Sequence, residues 1–75
     1  MNNLKYAVVL EKSATGYGAY VPDLPGCVAV AETKTKVLQL IREAIELHVE
    51  AMSAEGEHVP EPAASVEYVQ VAFAH

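Results

Sequence analysis

A chain of 75 residues, 52% of them hydrophobic, with one cysteine and a net charge of −5, has room for one small core. At this size only roughly 60–65% of the unfolded surface can be buried, so a lone monomer is marginal and needs a disulfide, a metal or a second subunit. Cys27 is the only cysteine, which excludes an internal disulfide, and His48, His58 and His75 have no ligand spacing between them or with Cys27, which argues against a metal. Oligomerisation remains.

The start MNNLKYAVVL lacks the basic leader and cleavage site of a secretory signal. No apolar run approaches the ~20 residues that span a membrane. A single free thiol agrees with a reducing, cytoplasmic setting. Lys5, Lys12, Lys34, Lys36 and Arg42 are scattered apart from the Lys34/Lys36 pair, so direct nucleic-acid binding is not expected of so acidic a chain. A basic protein partner suits it better, beside the plainer reading that the charge keeps it in solution.

Residues 4–11, LKYAVVLE, are rich in β-branched and aromatic types and predict a first strand. KSATGYG supplies turn formers, and residues 16–21, GYGAYV, predict a second strand paired to the first as a hairpin. VPDLPGC, residues 21–27, is then a rigid crossover. Pro22 and Pro25 preset the backbone, and Gly26 takes a conformation other residues resist. Asp23 and Leu24 are expected to project at its tip, where they either belong to the loop's architecture alone or help clasp a partner. Residues 27–32, CVAVAE, predict a third strand with small side chains.

Thr33 is a good N-cap for a helix over residues 34–55 that Gly56 stops. Val37, Ile41, Ala44, Ile45, His48 and Met52 share one face of it at helical spacing. Leu40 and Leu47 widen that apolar arc. They either flank the core or, together with His48, form the expected oligomer interface. GEHVPEP, residues 56–62, is a connector, and SVEYVQVAF, residues 65–73, predicts a fourth strand. The expected class is α+β: one domain over residues 1–75, with one helix on a four-stranded mixed sheet in the order 3-2-1-4. One helix covers one sheet face, so the other is an interaction surface.

Catalytic chemistry is sparse. Metal-dependent nucleases gather several carboxylates at strand ends. Here Glu11 and Glu32 stand at strand ends and Asp23 in a loop, a set that would meet only by accident. Cys27 reads as a small buried hydrophobe rather than a nucleophile. Tyr6, Tyr17, Tyr20 and Tyr68 all fall on expected strands without interleaved cations, which favours core or protein contact over base stacking. No enzyme activity and no cofactor are expected.

KYAVVLEK, GYGAYVPDLPGCVA, the Thr-started helix with EAIELHVEAM, and GEHVPEP before a last strand together resemble the HicB-like family, the antitoxin half of HicA–HicB toxin–antitoxin systems. The resemblance implies a β-β-β-α-β, partial RNase H-like fold without nuclease carboxylates. It also implies a partner, a small basic HicA-type RNase that cleaves mRNA with a catalytic histidine and whose active site the antitoxin masks. Tyr17, Tyr20, Asp23 and Leu24 are the expected partner contacts, in a homodimer or homotetramer. Many relatives carry a further DNA-binding segment; here the sequence ends at His75, directly after the fourth expected strand, so promoter binding is not expected. The family often places Glu three residues after the capping Thr, whereas Lys36 stands there, which reverses the local charge. The alternative is an orphan HicB-like homo-oligomer with another protein or a small-molecule partner.

Overall fold

The computed structural model describes residues 4–74. It contains β1 (Val9–Lys12), β2 (Tyr17–Tyr20), β3 (Val28–Ala31) and α1 (Lys34–Ala54), in that chain order. The three strands form one antiparallel sheet in the order β1-β2-β3. The hairpin turn between β1 and β2 closes through the Ser13 amide, which donates to the Gly16 carbonyl at 2.8 Å. Gly16 is required by space: a Cβ there would run into the carbonyl oxygen of Ala31.

Register decides the faces. Leu10 stands opposite Ala19, Ala19 opposite Ala29, and Tyr17 opposite Ala31, so these side chains share one face. The alanines leave room for a helix to approach closely, and α1 packs on β3 and β2 there. Val37 and Ile41 are its fully buried residues, with Ala44, Ile45 and Val49 packed at the margin. The cap is as the sequence predicts: the Thr33 hydroxyl oxygen accepts from the Lys36 amide at 3.1 Å. At the other end Gly56, with φ 75°, donates to Ser53 O at 3.1 Å, and Glu57 donates to Met52 O at 2.9 Å. This paired arrangement satisfies two carbonyls of the last turn.

The crossover at residues 21–27 is built as two successive β-turns. The Leu24 amide donates to Val21 O, and the Cys27 amide donates to Leu24 O, each at 3.1 Å. Each proline takes the second position of its turn, where a fixed φ is an advantage. Gly26, with φ 85°, supplies the left-handed residue the second turn demands. A turn repeated every three residues aims Val21, Leu24 and Cys27 inward, and all three join the core with Ala19, Val37 and Ile41. This corrects the expectation for Leu24. It does not project at the tip, because the turn geometry drives it into the core, where it is 1% exposed.

Two further expectations are corrected. The first strand is shorter than residues 4–11, although Tyr6 and Val8 still pack against the core. Among the described residues, 57–74 contain no strand, so the sheet has three strands, all antiparallel, rather than four in a mixed sheet. The reason lies in the connector. The Tyr6 hydroxyl donates to Pro60 O at 2.5 Å, and one Asp23 carboxylate oxygen accepts from the Ala63 and Ala64 amides at 3.0 and 3.1 Å. Those bonds hold the connector beside the crossover, and the chain then runs on through exposed residues 65–74. A compact chain of this length would have a radius of gyration of about 11 Å. The value here is 14.9 Å and the longest dimension 54 Å, well beyond the roughly 32 Å of a 21-residue helix.

Three predictions follow from this architecture. Gly26→Val forces a β-branched residue into the left-handed region and should cost about 1–3 kcal/mol in denaturant unfolding; an unchanged midpoint would show that the second turn is dispensable. Asp23→Ala removes the two bonds to the connector; amide exchange at Ala63 and Ala64 should accelerate, while that of α1 stays as it was. The Tyr6 phenol is pushed above its ordinary value, first by burial and then by the negative charges of Glu61 and Asp23. The folded chain thus holds the neutral phenol better than the unfolded chain does. That contribution is complete below pH ~10 and declines as pH rises toward the folded value. Tyr6→Phe should flatten the alkaline decline in stability, and an identical decline would assign it to other groups.

Candidate interaction surface

The face of the sheet turned away from α1 carries Val9, Tyr20 and Val28 in one row and Glu11, Gly18 and Val30 in the next. Nothing from the described chain covers its centre: Val30 is 77% exposed and Val28 is 64% exposed. Tyr20, also exposed, lies opposite Val28 across the β2–β3 ladder. Two β-branched side chains and a ring, side by side on the β2–β3 ladder, form the kind of exposed apolar patch that marks a protein contact. Gly18 keeps the middle of the face low, with its nearest side-chain neighbour, a Val30 methyl, 4.0 Å from where a Cβ would stand.

At the hairpin end this face runs into an open depression of about 510 Å³. Glu11, Lys12, Thr15, Tyr17, Val30 and Glu32 line it. Two carboxylates against one ammonium make its rim acidic. The close approach of Gly16 to the end of β3 brings Glu32 near the hairpin. Glu11 and Glu32, far apart in sequence, thus share one depression.

The expected site residues divide into three groups. Tyr20 lies on the open face, and Tyr17 is half-buried, packed against the core with its edge in the depression. Asp23 and Leu24 serve the chain itself, the first through its bonds to Ala63 and Ala64 and the second in the core. On α1, Leu40 and His48 are half-buried, while Leu47 is 68% exposed. Val28 and Val30 were missed as surface residues. A strand of small apolar residues does not say which face each side chain takes, and only their register against Tyr20 and Gly18 does.

The residues most suggestive of catalysis are not assembled for it. Glu11 and Glu32 stand at the hairpin end of the sheet, whereas Asp23 follows the opposite end of β2. Among the described residues no group of three or more His, Cys, Asp and Glu side chains is placed to hold a metal ion. Cys27 is buried, and burial pushes its thiol above the ordinary value, away from the reactive thiolate. None of the described helices is long and apolar enough to cross a membrane. What the molecule offers is a surface: apolar at the centre, acidic at one end.

Several known proteins are similar to this chain. A protein of Haemophilus phage HP1, described as an uncharacterized 14.9 kDa protein in the rep-hol intergenic region, is 33% identical over 64 residues, 85% of this chain and 48% of that protein. The chain thus spans about half the length of the phage protein. A UPF0150 protein of Synechocystis is 45% identical over 56 residues, covering 73% of this chain and 71% of its own. A UPF0150 protein of Thermoplasma acidophilum is 38% identical over 58 residues, covering 76% and 84%. Among solved structures, a chain of the HicA3 and HicB3 toxin–antitoxin complex superposes with a TM-score of 0.66 at 30% identity, over 80% of this chain and 70% of that one. The family model described as the HicB-like antitoxin of bacterial toxin–antitoxin systems matches residues 6–74. The match takes in the strands, the double-turn crossover, the helix and the C-terminal segment, and the chain belongs to the HicB-like antitoxin family.

Proposed function

We propose that this protein neutralises a HicA-type, mRNA-cleaving toxin by direct protein contact, as a cytoplasmic homodimer or homotetramer without enzymatic activity of its own. The observation that carries this reading is the likeness to a chain of the HicA3 and HicB3 toxin–antitoxin complex, at a TM-score of 0.66 and 30% identity. The surface supports it. A net charge of −5 and the Glu11/Glu32 depression suit a basic RNase, and the exposed Tyr20, Val28 and Val30 supply a desolvated centre for the contact. Tyr17 lies at the junction of the two. Asp23 acts at one remove, by holding the connector. Leu40, Leu47 and His48 form a second apolar strip on the helix side, suited to contact between subunits. The fold is read as a partial RNase H-like sheet, with the carboxylates too dispersed to retain a nuclease centre.

One observation favours a second reading. The first turn of α1 has no acidic residue and carries Lys34 and Lys36 instead. An orphan homo-oligomer that binds another protein or a small molecule would have no need of acids there.

The test begins with the small basic protein that co-purifies from native lysate, identified by mass spectrometry and assayed on mRNA. Its cleavage should be silent in the complex and return when the present protein is removed. A Tyr20→Ala/Val30→Glu variant should retain the helical circular dichroism and inhibit at least about 30-fold less well, the loss expected when a contact centre worth about 2 kcal/mol is removed. Full inhibition by that variant would move the toxin contact off the open face. Recovery of only further copies of the chain would favour the orphan reading.

A further inference from the structure

Residues 66–73, VEYVQVAF, have the composition and alternation of a strand, yet the structure places them outside the sheet. Tyr68 is 95% exposed, Val69 80%, Val71 73% and Phe73 80%. Tyr68, Val69 and Val71 together present on the order of 300–500 Å², as much as the largest apolar patch of a typical monomer. They stand on a segment of high β-propensity, which is a hazard unless something pairs with it.

The rest of the molecule has the complementary defect. β1 is an edge strand, bonded to β2 on one side only. Beside it, between residues 4–8 and α1, runs an open groove of about 570 Å³. Val8, Leu38 and Ile45 form apolar walls, and Lys5, Arg42 and Glu46 stand on its rim. The helix leans toward β3 and β2, which leaves this side of the sheet thinly covered.

We propose that residues 66–73 cross to a second copy of this chain and complete its sheet as a fourth strand along the β1 edge, each copy lending its strand to the other. The pleat puts Val69, Val71 and Phe73 on one side of the segment, toward the partner's groove, and Glu67 on that same side. Glu67 is the segment's one charged residue, and the groove rim carries two cations against one carboxylate, so the charges are complementary. The bonds of Ala63 and Ala64 to Asp23 aim the chain outward from beneath its own crossover. From Ala64 onward the segment can extend roughly 30 Å, the length needed to lie along another copy's β1 edge. Reciprocal exchange of identical strands closes a two-fold dimer with no open end. It also accounts for how a core this small is stabilised: each sheet gains a fourth strand. This inference rests on the homo-oligomeric part of the proposed function and not on the toxin.

The experiment is light scattering coupled to size exclusion on the full chain and its variants, with amide exchange on the wild type. The wild type should run at no less than twice its 8.1 kDa chain mass, with slow exchange at residues 67–73. Val71→Lys puts a charge into the groove and should raise the dissociation constant by about 100-fold or more. Val71→Thr, nearly the same shape, should shift it in the same direction by less. Gln70→Lys, on the other side of the pleat, and Val30→Lys, on the open face, should stay within about threefold of wild type. A monomeric wild type overturns both this inference and the homo-oligomer, and slow exchange at 67–73 in that monomer would show the strand returning to its own sheet. An associated wild type whose mass is unmoved by either change at Val71 overturns the exchange alone. Loss of assembly with Val30→Lys overturns it by placing the contact on the open face.

Discussion

The two proline-led turns between β2 and β3 close the core at its lower end. Val21, Leu24 and Cys27 enter the interior from a loop, a segment that ordinarily runs over the surface. They can do so because the loop's own amides bond within it, so no backbone group is left stranded by burial. Fully burying a side chain such as Leu24 is worth about 1.5–3 kcal/mol, a large share of the total for so small a domain. The same turns set Asp23 where its carboxylate can catch the connector. The core, the path of the C-terminal segment and its exit from the body all depend on this crossover.

A single helix on a three-stranded sheet leaves two debts in surface chemistry. One face of the sheet stays uncovered, with Tyr20, Val28 and Val30 at its centre. One edge stays open, beside a groove between residues 4–8 and α1. Soluble monomers rarely present both together with an exposed strand-like tail. Both are surfaces of a kind that protein contacts cover. Tyr20, Val28 and Val30 are not among the residues that line the groove.

Among the described residues, the acidic and thiol groups most suggestive of catalysis do not converge on one site. Glu11 and Glu32 share a depression, Asp23 is at the far end of the sheet, and the Cys27 thiol is held in its inert form inside the core. A surface of this kind can bind, and the chain belongs to the HicB-like antitoxin family.

Much of this was legible in the residues. The hairpin, the Thr33 cap, the 34–54 helix and its Gly56 stop rest on local interactions within a few residues, and local rules read them well. The Val37/Ile41 stripe was legible because helical periodicity sorts a face without reference to the partner. The turns at Pro22, Pro25 and Gly26 were legible as rigidity, but the burial of Leu24 was not, since its direction follows from two turns in series and from the helix that closes over it. Val28 and Val30 look the same in sequence whether they face the core or solvent; their register against β2 turned them outward. The segment 65–73 has the sequence of a strand, but a strand exists only as half of a pair. The sequence by itself determined the local propensities and the turns; the tertiary structure alone decided which neighbour each element meets, because pairing and burial depend on residues far away along the chain.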